Sequence, residues 1–319
     1  MKVKQQPSDF IVEEITTIKF STEKDAHQIF IMEKKEQDTF EAIDVISRTF
    51  HIPKQEIGYA GLKDKHAITS QYISIPSNYV IVSAQLKYPI LHFQGYHQKK
   101  LYIGDLQGNR FTITIRDLTQ KKLKQIKETS LMVQTYGVPN YFDSQRFGSV
   151  IHNEFIMRYI LQNNYEKAMR IFLTFYEKFE RKIMKDDKRT IENNWEHLEK
   201  VRIRNNIFQQ CIKEYLQTQS WHKAYLKIPH NIRELHKNAF QSYLWNECIK
   251  ELMKQTLGPT HLFPVKYHVG TLLFFQEMHL EQEKSIPRTF KTISNEGTYS
   301  TPEKNIIDVV LSKQGIRIS

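Results

Sequence analysis

The sequence predicts an α+β protein in two domains. Three observations carry this reading: a strand–strand–helix opening, an isolated alternating strand at 110–117, and a change to helical periodicity from Ile151 onward. With 319 residues, 40% of them hydrophobic, the chain can bury a full core and is long enough for two domains rather than one.

The elements follow in order. Residues 10–15 and 28–32 are short and rich in Ile, Val and Phe, as strands are. Phe40, Ile43, Ile46 and Phe50 then recur at helical spacing behind a possible N-cap at Asp38 or Thr39, and Pro53 follows the end. Between Arg110 and Asp117, Phe111, Ile113 and Ile115 alternate with Thr112, Thr114 and Arg116, which predicts one buried and one polar face. Residues 118–133 read as an amphipathic helix with Lys121, Lys122, Lys124 and Lys127 outward, available to phosphates or simply solvated. From Ile151 to Tyr225 the pattern is helical, with Ala168, Met169, Phe172, Leu173, Tyr176 and Phe179 as a core stripe. A further helix spans 238–253 with Phe240, Leu244, Ile249 and Leu252 inward, and short strand-like pieces follow Gly258. The composition break near Gly148 divides the chain into 1–148 and 149–319.

Composition narrows the function. Lys and Arg number 46 against 35 acids, a net charge of +11 that concentrates polyanions, so nucleic acid leads the possible partners. The plainer alternative is a basic enzyme indifferent to nucleic acid. Cys211 and Cys248 stand far apart without a CxxC, which argues against a disulfide framework or a cysteine zinc site and for a reducing cytoplasm. No run approaches the roughly 18 apolar residues of a membrane span, so a soluble, cytoplasmic protein is expected. The HxE triplets at His152 and His279 lack a following PCxxC, and no Walker or Rossmann glycine pattern occurs. Neither metal nor cofactor is expected.

The run Gly58-Tyr59-Ala60-Gly61-Leu62-Lys63-Asp64-Lys65-His66-Ala67 sets one acid, Asp64, between two lysines. Nearby positive charge favours the ionised form of a carboxylate, so Asp64 reads either as an anion kept ready or as part of a surface ion-pair cluster. Two other stretches favour the first. Lys4-Gln5-Gln6-Pro7-Ser8-Asp9-Phe10 leads a proline turn into a strand and offers a cation and a ring. Val138-Pro139-Asn140-Tyr141-Phe142-Asp143-Ser144-Gln145-Arg146-Phe147-Gly148 gathers an amide, aromatic rings and a guanidinium. A nucleobase taken from its stack needs a flat face and a partner for its polar edge, which Phe142 and Asn140 supply. Core packing is the commoner fate of an aromatic ring and is the reading preferred for Phe147, while Asn140 after a proline also suits a turn.

The stretches KQQPSDFIVEE, GYAGLKDKHAITSQ, GYHQKKLYIGDLQGNRFTITIRD and VPNYFDSQRFG, in this order, resemble the tRNA pseudouridine synthase D (TruD) family over most of residues 4–148. The segment Asn238-Ala239-Phe240-Gln241-Ser242-Tyr243-Leu244-Trp245-Asn246 resembles the family's QSxxFN-type helix, with Trp245 where Phe is usual. The resemblance implies a pseudouridine-synthase-type catalytic domain with a mostly antiparallel mixed sheet flanked by helices. It also implies an α/β insertion domain, the two forming a V with a cleft for folded RNA. It further implies isomerisation of a tRNA uridine, at position 13 in the family's usual substrate, to pseudouridine by a monomer without metal or cofactor.

Asp64 matches the catalytic aspartate, which attacks ribose C1′ or removes a ribose proton. Phe10 and Asn140 match substrate-contacting positions, Phe142 the ring against the target base, and Lys4 a lysine expected to pair with Asp64. Neighbours on an extended chain point to opposite sides, which favours Lys4 over Lys63 or Lys65 as that partner. The family's FxLPxGxYAT strand has no counterpart before Ser319. From this the expected closing segment of the sheet is missing, and the alternative is a tRNA-binding protein or RNA chaperone of the same fold with weak or no catalysis.

Overall fold

The computed structural model describes residues 1–294 and 296–316. Its contacts divide the chain into two units, Met1–Thr129 and Ser130–Ser319. This division precedes the composition break at Gly148. Residues 130–148 carry helix-like and irregular composition, yet Met132, Tyr136, Tyr141 and Phe147 pack into cores built by the rest of the second unit.

The first unit contains β1 (Lys2–Val3), β2 (Phe10–Ile15), β3 (His27–Lys35), α1 (Thr39–Phe50), β4 (Gly58–Tyr59), β5 (Ile68–Pro76), β6 (Ile90–His97), β7 (Gly108–Ile113) and β8 (Ile115–Arg116). The six-stranded sheet has the order β6-β3-β5-β2-β7, with β4 also paired to β5. All its pairings are antiparallel except that of β2 with β5, which is parallel. Gly58 lies where a Cβ would come within 2.3 Å of Ser74 Oγ and 2.5 Å of the Leu101 carbonyl oxygen, so only glycine fits there.

Helix α1 covers the sheet with Ala42, Ile43 and Ile46, which share a core with Phe30, Met32, Ile73 and Ile75. Its start is fixed by a capping box in which Asp38 accepts from the Glu41 amide at 2.8 Å and Glu41 accepts from the Asp38 amide at 2.9 Å. Asp38 is therefore the cap and Thr39 the first helical residue.

The strand expected at 110–117 is broken at Thr114 into β7 and β8, and its apolar face is not buried. Phe111, Ile113 and Ile115 are 54%, 48% and 39% exposed. Alternation separates two faces of a strand, but β7 is the sheet edge with β2 its one neighbour, and covering that face requires a further element.

Helix α2 (Gln120–Tyr136) forms where a helix was expected and runs across the division; none of its residues is fully buried, and the apolar face expected of it is covered only in part, through Met132 and Tyr136. The second unit continues with α3 (Ile156–Leu161), α4 (Tyr165–Thr174), α5 (Lys182–Asn193), α6 (Asn206–Thr218) and α7 (Trp221–Leu226). They enclose Met169, Leu173, Ile191, Phe208, Cys211 and Ala224. The stripe expected to continue to Phe179 stops with α4 at Thr174, and Phe179 is 92% exposed because the helical period that aligned it has ended.

The long helix α8 (His230–Leu257) follows, then a hairpin of β9 (Leu262–Tyr267) and β10 (Gly270–Phe275), then α9 (Leu280–Ser285) and α10 (Thr301–Lys313). The strand-like pieces after Gly258 are this hairpin, whereas α10 is a helix that packs Ile306, Ile307, Val310 and Leu311 into the core shared with Phe240 and Leu244. Both cysteines are free and buried, and burial pushes each thiol up to about 12. No helix among the described residues is long and apolar enough to cross a membrane.

Candidate active site

Strands β2 and β5 run parallel with Ile11 opposite Ile68, so the segments entering both strands meet at one end of the sheet. One segment carries Lys4 and Phe10, the other Asp64. Lys4 Nζ lies 3.4 Å from Asp64 Oδ2 and 3.6 Å from the centroid of the Phe10 ring. The side chains of Lys4 and Asp64 are 41% and 46% exposed, so the carboxylate is held yet open to a substrate.

Lys4 takes a left-handed φ of 54°, uncommon for a residue with a side chain. Asp9 fixes that turn from behind. Its fully buried carboxylate accepts from the amides of Gln5 and Gln6 at 3.2 and 3.4 Å and from the Arg116 guanidinium at 2.8–3.0 Å. The Arg116 hydrogen bonds hold the Asp9 carboxyl below its usual value of 3.8. Stability from this group is thus present above 3.8 and lost as pH falls through the lower folded value. Asp9→Asn is expected to show a shallower loss of stability below that pH than the wild type in acid-unfolding curves. Curves of equal slope would contradict the linkage.

The lysines flanking Asp64 in sequence are engaged elsewhere. Lys63 turns inward to form an ion pair with Glu14, their side chains only 4% and 1% exposed. Lys65 pairs with Glu41 at 2.6 Å. Glu14 also accepts from the Tyr72 amide at 3.1 Å. The Thr39 hydroxyl accepts from the Lys63 amide at 3.0 Å and donates to Gln71 Oε1 at 3.1 Å, while Gln71 Nε2 donates to the Gly61 carbonyl at 3.0 Å. The loop bearing Asp64 lacks regular structure, and these buried side chains replace the missing backbone partners. Sequence reasoning did not find Glu14, Thr39 or Gln71 as supports. For Glu14 and Gln71 the signal was a polar residue on the inward side of a strand's alternation.

The second unit brings Asn140 and Phe142 together. Phe142 is half-buried and Asn140 exposed. Fully buried Asn246 on α8 grips the Phe142 main chain twice, accepting from its amide and donating to its carbonyl, each at 2.9 Å. The Phe142 ring meets Trp245 edge-on at 5.5 Å, and the Arg146 guanidinium lies 5.2 Å from its centroid. A cavity of about 540 Å³ opens here, lined among others by Asn140, Phe142, Trp245, Phe275 and Phe290. Phe147 is a core residue with no exposure. Asn246→Ala leaves both Phe142 backbone groups unpaired and is expected to cost about 2–4 kcal/mol. Urea unfolding would check this, and a loss under about 1 kcal/mol would show that the grip is not needed.

Comparison with known proteins gives a consistent result. Residues 1–297 match the family model described as tRNA pseudouridine synthase D (TruD). The chain is 38% identical to the "Probable tRNA pseudouridine synthase D 2" of Methanocaldococcus jannaschii, over 99% of this chain and 76% of that one. It is also 38% identical to the "Probable tRNA pseudouridine synthase D 1" of Methanococcus maripaludis, over 100% of this chain and 84% of that one. A crystal structure from Methanosarcina mazei assigned to tRNA pseudouridine synthase D superposes with a TM-score of 0.73 at 23% identity, covering 99% of this chain and 78% of that one, and so shares the fold.

Proposed function

The chain belongs to the tRNA pseudouridine synthase D family, and we propose that Asp64 carries its isomerisation of a tRNA uridine to pseudouridine. The observation that carries the assignment is the meeting of Lys4, Phe10 and Asp64 on a braced loop. The carboxylate adds to ribose C1′ or removes the 2′ proton, and by either route the C1′–N1 bond breaks. The freed uracil turns and C5 bonds to C1′ as the carboxylate either leaves C1′ or returns the 2′ proton; C5 then loses its proton and N1 gains one through water, so the reaction balances without a co-reactant. Lys4 holds the carboxylate in place and supplies its opposing charge, and Phe10 borders the same opening.

Asn140 and Phe142 are proposed as substrate contacts, the amide suited to the polar edge of a base and the ring to its face. Residues 1–148 form the catalytic part and the portion from 149 onward the insertion. Because C5 loses its hydrogen, the chain should release tritium from a tRNA transcript made with 5-tritiated uridine, and the product should map to position 13. A chain that binds the transcript but releases no tritium at any enzyme concentration would sink the catalytic reading and leave the tRNA-binding one.

A further inference from the structure

Lys34, near the C-terminal end of β3, is fully buried. Lysine is almost never found so unless its charge is paired. Here the acceptors are main-chain carbonyls: Gln37 at 2.7 Å, Asp64 at 2.9 Å and Lys63 at 3.4 Å. An ammonium has three N–H groups, and all are committed to these carbonyls. Two of them belong to Asp64 and the residue before it. The registers explain the reach, since Lys34 is opposite Thr69 on β5 and the Asp64 loop leads directly into that strand.

We propose that Lys34 is a positioning residue for the isomerisation, its buried ammonium fixing the main chain at Asp64 and so the direction of the carboxylate. The inference rests on the assignment of Asp64 as the catalytic group. Lys4 restrains the carboxylate from the solvent side, whereas Lys34 restrains the peptide beneath it. An apolar side chain would fill the same volume on β3 but leave the loop carbonyls without donors. A catalytic group displaced by about 1 Å can lose roughly a hundredfold in rate.

Burial moves the Lys34 ammonium down to about 8, against the opposing influence of the Asp38, Asp64 and Glu41 carboxylates and with the Lys63 ammonium acting in the same direction as burial. Above that pH the neutral amine has two N–H groups for three carbonyls.

The test compares wild type, Asp64→Ala, Lys34→Met and Lys34→Gln on the tritiated transcript under single turnover, with tRNA affinity and thermal midpoint measured on each full chain. Lys34→Met is expected to lower the rate about 10–100-fold with tRNA affinity within about threefold of wild type. Lys34→Gln, which keeps two donors on a shorter stem, should recover part of the rate. It should also lack the decline expected of wild type above about pH 8. A Lys34→Met rate within about twofold of wild type, beside an inactive Asp64→Ala, overturns the proposal alone. So does loss of folding or of tRNA binding in step with rate in both Lys34 variants, which marks the lysine as structural. An inactive wild type, or an active Asp64→Ala, overturns instead the assignment on which the proposal stands.

Discussion

Asp64→Ala is expected to lower pseudouridine formation by at least about a thousandfold, because removing a nucleophile or base that takes part in bond cleavage leaves only binding and orientation. The same substitution should leave the fold and tRNA binding nearly intact. Its side chain is 46% exposed and pairs with Lys4 at 3.4 Å, a pairing between exposed groups worth at most about 1 kcal/mol. Single-turnover tritium release, tRNA affinity and thermal unfolding together check this. A variant that retains a tenth of the wild-type rate would remove Asp64 from the chemistry.

Lys63→Met should produce the largest loss of stability. It strips the partner from Glu14, whose side chain is 1% exposed, and leaves a buried carboxylate with the Tyr72 amide as its remaining donor. Breaking a buried pair from one side costs about 3–5 kcal/mol, whereas replacing both partners by apolar groups is often nearly neutral. The double variant Lys63→Met, Glu14→Leu should therefore unfold at higher urea than Lys63→Met, although the Tyr72 amide loses its acceptor. A single variant that loses under about 1 kcal/mol, or a double variant less stable than the single, would show that the pair is dispensable. Activity should fall as well, since Lys63 is adjacent to Asp64 and anchors its loop.

These two neighbours show how far the sequence could be read. Lys63 and Lys65 seemed to supply the cationic surroundings of Asp64, but the first turns into the sheet and the second crosses to the cap of α1. The ion-pair partner of Asp64 is Lys4, sixty residues away in sequence. Lys4 is the partner expected over Lys63 and Lys65, but the loop that bears Asp64 is not a strand, so strand alternation does not account for the pairing.

Elsewhere periodicity overreached. Phe111 and Ile113 alternate correctly but lie exposed on an edge strand, and Phe179 follows a helical period that the helix itself abandons at Thr174. Period identifies a face without saying whether another element covers it.

What the sequence determined alone was local. It placed β2, β3 and α1, a cap for that helix at Asp38 or Thr39, an acid between two lysines, and the motifs that mark the family. The tertiary structure decided which of these meet. The parallel register of Ile11 with Ile68 brings Phe10 and Lys4 to the Asp64 loop, and the antiparallel register of Lys34 with Thr69 brings a buried ammonium beneath it. Register depends on pairings between segments tens of residues apart, and alternation along one strand carries no information about the strand beside it.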